Sequence, residues 1–488
     1  MLLATGVEQY TTTGWGVRAS LESVRAVPQT EDNSADNNDG LDTISSITKT
    51  FALPYQSADV QLNHVSWNVF DSNGTFLYKT QTQRENTVVL AKSFTFREFH
   101  GFTVRIAAQY TDNDLVYTLD NIDFNLVGSD LIDIPAGVSP AFVEAYKTLA
   151  DNWNTCYLRD LPLSKPKMLI ISHTQLANYQ ADFIKWKKQL GFDVYVANKS
   201  DIGTTLSQFK TFIADHYNQY HCDYLLLFGD VGDPTAAYTI PTAYFPSPEY
   251  QENDADDQQY GMILGDDYLP EMLVGRFSFG NVSEFITMVN KTMGYEKAPL
   301  MTDTNWMRRA VTVAGNYAEG GLRPVSPIQM SRWLRNRLLD YGFTAVDTVY
   351  YPPTYPGTSL IQAAINQGVQ YVSYRGWGDA NGWHYPSFHL ADLNSTFNGA
   401  KMPIVFSIVC NTGDFANTVN PSFGEKWMRM GTASTPGGCI AFVGPSDLHT
   451  KTRLNNSVSS GAFRSILDYG VRGFGSSVLN GKMELYKT

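Results

Sequence analysis

PIVFSIVCNTGDF, residues Pro403–Phe415, is a run of apolar, β-prone residues that ends in a cysteine and a turn of Asn, Thr, Gly and Asp. The apolar part, Pro403–Val409, is bounded by turn formers and suits a strand buried on both faces. In an open α/β sheet, chemistry collects in the crevice beyond the carboxyl ends of the strands. Cys410 is placed there, with N–H groups of the following turn free to receive an oxyanion. The same stretch also fits a core cysteine closing a core strand, because free Cys is among the most buried residue types. The rest of the chain decides between the two.

Outward from that strand, helix and strand patterns alternate. Met168–Ser172, Asp193–Ala197, Asp223–Gly229 and Glu271–Phe277 read as strands. Gln175–Leu190, Thr205–Tyr217 and Val282–Lys297 read as the helices between and after them. A second series follows. Its strands are Arg309–Gly315, Ala345–Tyr351, Gln370–Tyr374, Pro403–Val409 and Cys439–Val443. Its helices are Ile328–Tyr341, Leu360–Gln367, Phe423–Gly431 and Val458–Asp468. Such alternation predicts mainly parallel sheets covered on both faces. The fold class is α/β, with two side-by-side parallel-sheet lobes over 167–300 and 301–488.

The first 134 residues differ. Short runs such as Val60–Val65, Thr87–Lys92 and Phe102–Ala107 alternate with period two, and turn residues recur between them. That predicts an antiparallel β-rich domain. Glu31–Gly40 (EDNSADNNDG) reads as a solvated loop. Ser139–Asn152 reads as a helix with Ser before Pro at its start. Residues 135–166 make a helix and a connector, and LPLSKPK (Leu161–Lys167) marks the boundary.

Bulk composition narrows the function. The chain has 488 residues, with 43% hydrophobic and 17% charged, enough for several packed domains. Net charge is −12 with no basic run, which argues against a nucleic-acid partner. No apolar run reaches membrane-span length. The four cysteines, Cys156, Cys222, Cys410 and Cys439, lie far apart and form no C-x-x-C, so a zinc ribbon is not supported. Cys439 and Cys222 read as core residues. Asp230 and Asp414 read as loop-shaping. The acidic residues Asp254, Asp256 and Asp257, in the run Glu252–Asp257, offer the hard oxygen ligands that Ca²⁺ takes.

A cysteine nucleophile needs a base or a lowered pKa, and donors for the oxyanion. YRGWG, Tyr374–Gly378, follows the neighbouring strand and precedes that of Cys410. Its glycines permit tight turns that expose N–H groups.

Several motifs, in order, resemble the gingipain-type cysteine peptidases, a caspase-like family of Bacteroidetes. They are LLLFGDV (Leu225–Val231), GDDYLPEMLVGRFS (Gly265–Ser278), AEGG (Ala318–Gly321), VCNTGDF (Val409–Phe415) and GCIAFVG (Gly438–Gly444). Residues 1–130, notably REFHGFTVRIAAQY (Arg97–Tyr110), are similar to the family's pro-domain. The resemblance implies a caspase-like catalytic domain behind a pro-domain that is its intramolecular partner, with zymogen logic. It implies a protein or peptide substrate, Cys410 as nucleophile, Glu319 as supporting acid, and oxyanion donors near Gly378 and Asn411. It implies no required cofactor, with structural Ca²⁺. It also implies a secreted or cell-surface protein exported by type IX secretion, of which this chain is a fragment cut at both ends.

The match departs at Trp377, which stands where the family has its catalytic His. His384, seven residues on, and His449, in PSDLHT, are the replacements on offer. A non-catalytic relative that acts as a binding or secretion-associated module is the other function compatible with Trp377. The region Arg323–Ile328 lacks the acid that Arg-cleaving members use, so a small or apolar P1 pocket is expected.

Overall fold

The computed structural model describes residues 3–4, 8–13, 16–22, 24–25, 43–233, 235–246, 252–298, 302–316 and 325–487. The loop reading of Glu31–Gly40 and the supporting-acid reading of Glu319 lie outside the described residues.

Residues 8–131 build an eight-stranded antiparallel sheet. Its spine is the pair Tyr55–Phe70 and Leu115–Leu131, with Phe99–Asp112 branching off to two more strands. From Ile122 to Leu126 inward residues alternate with outward ones, and Leu119, Ile122, Phe124 and Leu126 join Trp67, Phe51 and Phe102 in one core.

Two parallel sheets follow, as the alternation predicts. The first runs Asp193–Asn198, Lys167–Ser172, Tyr224–Phe228, Leu273–Phe277 across its width. The second runs Ala345–Tyr351, Arg309–Gly315, Tyr371–Arg375, Ile404–Ser407, Ala441–Val443. Ile170, Leu227, Val313, Val372 and Val405 are fully buried, which explains their unbroken apolar runs. The edge strands Leu273–Phe277 and Ala441–Val443 face each other across a cavity of about 1060 Å³.

The lobes are joined at the carboxyl ends by a buried polar network. Arg429 donates to Asp230 (3.0 Å), Glu425 (2.5 Å) and the Ser278 carbonyl (3.0 Å), and Lys291 donates to the Met428 carbonyl at 2.9 Å. Asp230 is therefore more than loop-shaping: it ties one lobe to the other.

Several boundaries moved, and some have a visible cause. The helix expected from Ser139 begins at Val143, because the Ser139 hydroxyl donates to Asp223 and accepts from Ala141 N–H. The helix expected from Val458 begins at Thr452. Its polar first turn hid the start, and those polar residues serve the site described below. The strand of Pro403–Val409 shortens to Ile404–Ser407. The Ser407 carbonyl is claimed by Val409 N–H (2.9 Å) and the Thr412 hydroxyl (3.0 Å) rather than by a neighbouring strand. The loop after YRGWG is a small antiparallel sheet of Gly378–Asp379, Gly382–His384 and Ser387–His389. A helix at Phe474–Lys487 packs back on Val143–Leu149.

Candidate active site

Cys410 stands in the turn beyond the Ile404–Ser407 strand, at the carboxyl end of its sheet. It is partly exposed, whereas Cys156, Cys222 and Cys439 are buried. Burial pushes those three thiols up to about 11, about 12 and about 12, so they stay protonated and inert.

The turn is locked from both sides. Thr412 and Ser407 share a hydroxyl contact at 2.9 Å, and Trp383 Nε1 donates to Ser407 Oγ at 2.9 Å. Asp414 accepts from Asn411 Nδ2 (3.1 Å), Ala416 N–H (3.1 Å) and Asn417 Nδ2 (2.8 Å). Asn411 takes φ 56°, a left-handed value that Asn tolerates better than most residues. Loop 445–450 is zipped onto this turn. Gly413 N–H donates to Pro445 O (3.0 Å), Asn411 N–H to Asp447 O (2.9 Å), and Asn411 Nδ2 to Ser446 O.

Those bonds correct one expectation. The Asn411 N–H is spent on Asp447 and does not point an oxyanion donor at the crevice. Among the described residues, Cys410's own N–H has no acceptor within the protein, so it replaces Asn411 as the donor on offer. Gly378 lies against the Cys410 turn. A Cβ there would meet Val409 Cγ1 and Thr412 Cγ2 at 3.3 Å and Gly382 O at 2.8 Å, so only glycine lets the YRGWG turn press this close to the Cys410 turn.

Neither candidate histidine hydrogen-bonds the thiol. Cys410 Sγ contacts Thr450 Oγ1 at 3.1 Å and Thr450 O at 3.9 Å. Asn455 Nδ2 donates to the same Oγ1 at 2.7 Å. The hydroxyl thus accepts from Asn455 and keeps its own hydrogen for the sulfur.

The two histidines differ in what their rings still have to offer. His384 Nε2 lies 3.2 Å from Asp379 Oδ2, and its Nδ1 lies 3.4 Å from His389 Nε2. Burial and the adjacent His384 hold His389 below the ordinary histidine value, so its neutral ring serves as the partner. Both His384 nitrogens are spent. His449 sits one residue before Thr450, and Glu252 holds its Nδ1. Trp377 is 52% exposed, with its ring 5.7 Å from that of His384.

Asp256 and Asp257, two of the three acids offered for Ca²⁺, have other partners. Asp257 is bound by Arg276 Nε (2.7 Å) and Nη2 (2.8 Å), and Asp256 caps Gln258 N–H at 3.0 Å. The three do not converge. Asp254 instead joins a negative patch: burial, then Asp447, Glu252 and Asp414, raise its carboxyl to about 6. Glu252, Asp447 and His449 bring one ligand atom each within 4.8 Å of one another, but an imidazole is a poor partner for Ca²⁺.

A partly exposed thiol at a strand's carboxyl end, with backbone donors and a carboxylate-held imidazole on the adjoining loop, is the equipment of acyl transfer. The sequence profile of Peptidase family C25 matches residues 161–488. The chain belongs to peptidase family C25. Gingipain R2 of Porphyromonas gingivalis is 29% identical over 310 residues, which are 62% of this chain and 40% of that protein. Lys-gingipain of the same organism is 26% identical over 315 residues, 64% of this chain and 17% of that protein. The chain therefore spans well under half the length of these relatives. The crystal structure of the Arg-specific cysteine proteinase gingipain R superposes with TM-score 0.59 at 26% identity, covering 66% of this chain and 72% of that one. The complex of the Porphyromonas gingivalis gingipain pro- and mature domains gives TM-score 0.58, covering 66% and 75%.

The sequence reading offered Cys410, Gly378, His384 and His449 as site residues and did not offer Thr450, which contacts the thiol, or Asn455, which contacts Thr450. Asn455 and Thr450 lie in a polar stretch, NNS and LHTKT, with no apolar period. That polarity beside a strand end was the available signal.

Proposed function

We propose that the chain is the pro-domain and catalytic part of a secreted cysteine endopeptidase that hydrolyses protein or peptide substrates. The observation that carries the reading is Cys410, the one partly exposed thiol, beside Gly378 at the sheet's carboxyl end in a C25 chain.

In this mechanism the Cys410 thiolate attacks the peptide carbonyl carbon. The developing oxyanion is held by the N–H groups of Cys410 and Gly378. His449, its ring held by Glu252 at Nδ1, takes the thiol proton and returns it to the leaving amine. Water, deprotonated by the same ring, then cleaves the thioester and releases the acid and the free thiol. Thr450, held by Asn455, donates to the sulfur while it carries charge. Trp377 occupies the position of the family's catalytic His, and the base comes from a different loop.

A second reading, a non-catalytic C25 relative that binds peptides, is favoured by Trp377 and by the absence of a Cys410–His hydrogen bond. Incubation with a peptidyl acyloxymethyl ketone, followed by intact mass, separates the two. The peptidase reading expects stoichiometric labelling of the wild type, none of Cys410→Ala, and cleavage of a denatured protein substrate that the variant lacks. Equal cleavage by Cys410→Ala, or no labelling at all, contradicts it.

A further inference from the structure

Four aromatic rings, those of Trp377, Tyr385, Tyr351 and Tyr355, form one connected array at the carboxyl end of the five-stranded sheet. Tyr351 closes the strand Ala345–Tyr351, and Trp377 lies two residues beyond the strand Tyr371–Arg375. Tyr385 is the hub. Its ring centroid lies 5.4 Å from that of Tyr351, 5.7 Å from that of Tyr355 and 6.0 Å from that of Trp377. The outer rings are open: Tyr355 is 59% exposed and Trp377 52%. Single exposed rings are ordinary, but exposed rings gathered in one patch mark an interaction site.

The array stands on a fixed backbone. Ser387 N–H donates to Pro356 O at 2.7 Å and the Thr358 hydroxyl to Ser387 O at 2.8 Å, which binds the loop of Tyr355 to the turn of Tyr385. A Cβ on Gly315 would collide with Tyr385 O, so glycine there lets that turn sit on the end of the strand Arg309–Gly315. Trp377 O accepts from His384 N–H (3.0 Å) and from the Tyr374 hydroxyl (2.8 Å). Rings held this way spare a ligand the cost of ordering them.

Spacing and donors say what the array takes. Centroids about 6 Å apart match the rise of two residues in an extended or polyproline II chain. Among the described residues, the hydroxyls of Tyr351, Tyr355 and Tyr385 and the Nε1 of Trp377 have no hydrogen-bond partner within the protein. They are donors set beside the ring faces, within reach of peptide carbonyls. Proline suits both features. Its ring lies flat on an aromatic face, it offers a carbonyl and no N–H, and its chain is already in the polyproline II form, so little entropy is lost on docking.

The array is continuous with the thiol turn. Gly378, the residue after Trp377, packs on Val409 and Thr412, which flank Cys410 in the chain. A peptide seated on the rings leads onto that turn.

We infer that the array is a subsite for proline-containing, polyproline II segments of the substrate, with Trp377 and Tyr355 as its binding residues. That the occupant is a substrate rests on the peptidase reading above; the binding itself needs no turnover.

The test titrates the Cys410→Ala chain with an end-blocked hexaproline peptide and, as control, an end-blocked Gly-Ser hexapeptide, read by calorimetry. Hexaproline is expected to bind at least about tenfold more tightly than the control. Trp377→Ala and Tyr355→Ala, added singly to Cys410→Ala, are each expected to weaken it by about fivefold or more while the thermal midpoint stays put. In the wild type, a proline-flanked peptide is expected to be cut with a higher kcat/KM than its Gly-Ser counterpart, a preference that Trp377→Ala loses through KM. Equal binding of the two peptides, hexaproline binding retained in both ring variants, or tighter binding of a Gly-Ser peptide carrying Phe in place of proline overturns the inference. Hexaproline binding that both ring variants lose, in a chain that the acyloxymethyl ketone does not label, upholds the polyproline site and removes the peptidase reading alone.

Discussion

The two ends of the parallel sheets are built to opposite rules. At the amino end the charged side chain of Arg97 is driven fully inside, its Nη atoms bound by carbonyls and a carboxylate while its Nε has no hydrogen-bond partner, and it lies against aromatic rings. At the carboxyl end Cys410 stays partly exposed, and turn 410–413 and loop 445–450 bond to each other through backbone and short side chains. The first lies on the four-stranded sheet and the second on the five-stranded one. The difference teaches that the buried ion pair and the thiol are kept on different sheets, at opposite strand ends. Substitutions at the two ends therefore ought to separate into losses of rate and losses of stability.

The largest effect is expected from Cys410→Ala, which should reduce peptide hydrolysis to background while leaving the urea midpoint unchanged. A shifted midpoint would blur the division. At the other end, Arg97→Met should remove about 3–5 kcal/mol of unfolding free energy, because it leaves Asp223 buried without its cation. Its activity per folded molecule should not change. His449→Ala should lower kcat by roughly 10²–10⁴-fold, the range for a positioned base. His384→Ala, whose nitrogens face Asp379 and His389, should lower it far less. Thr450→Val should cost about tenfold in kcat, from a hydrogen bond to charge worth about 1.5 kcal/mol.

The smallest effect concerns pH. The Asp254 carboxyl titrates at about 6 in the folded chain, above its ordinary value. A raised folded pKa means the folded state binds its proton more tightly. The contribution is fully present below about 4 and is lost as pH rises through about 6. Wild-type Tm should therefore fall slightly over that window, and Asp254→Asn should flatten the slope.

The sheets were legible because buried parallel strands leave unbroken apolar runs, and Tyr371–Arg375 and Ile404–Ser407 stand out by that signal alone. Cys410 was legible because a turn follows its strand. The proposed base was only half legible. His384 and His449 look alike in sequence, and what separates them is the Asp379–His389 chain around one ring and Glu252, 197 residues away, beside the other. The Asn411 N–H failed as a donor because its acceptor, Asp447, lies on a loop that sequence does not place. Arg97 left one local trace, an arginine where a hairpin tip asks for glycine, and the burial that explains it comes from residues more than a hundred positions away.

The most direct measurement is the rate of Cys410 carboxamidomethylation across pH in the wild type, His449→Ala and His384→Ala. The account predicts that His449→Ala slows the reaction at neutral pH by about tenfold or more, while His384→Ala follows the wild type. A reaction slowed by His384→Ala alone, or indifferent to both, would contradict it.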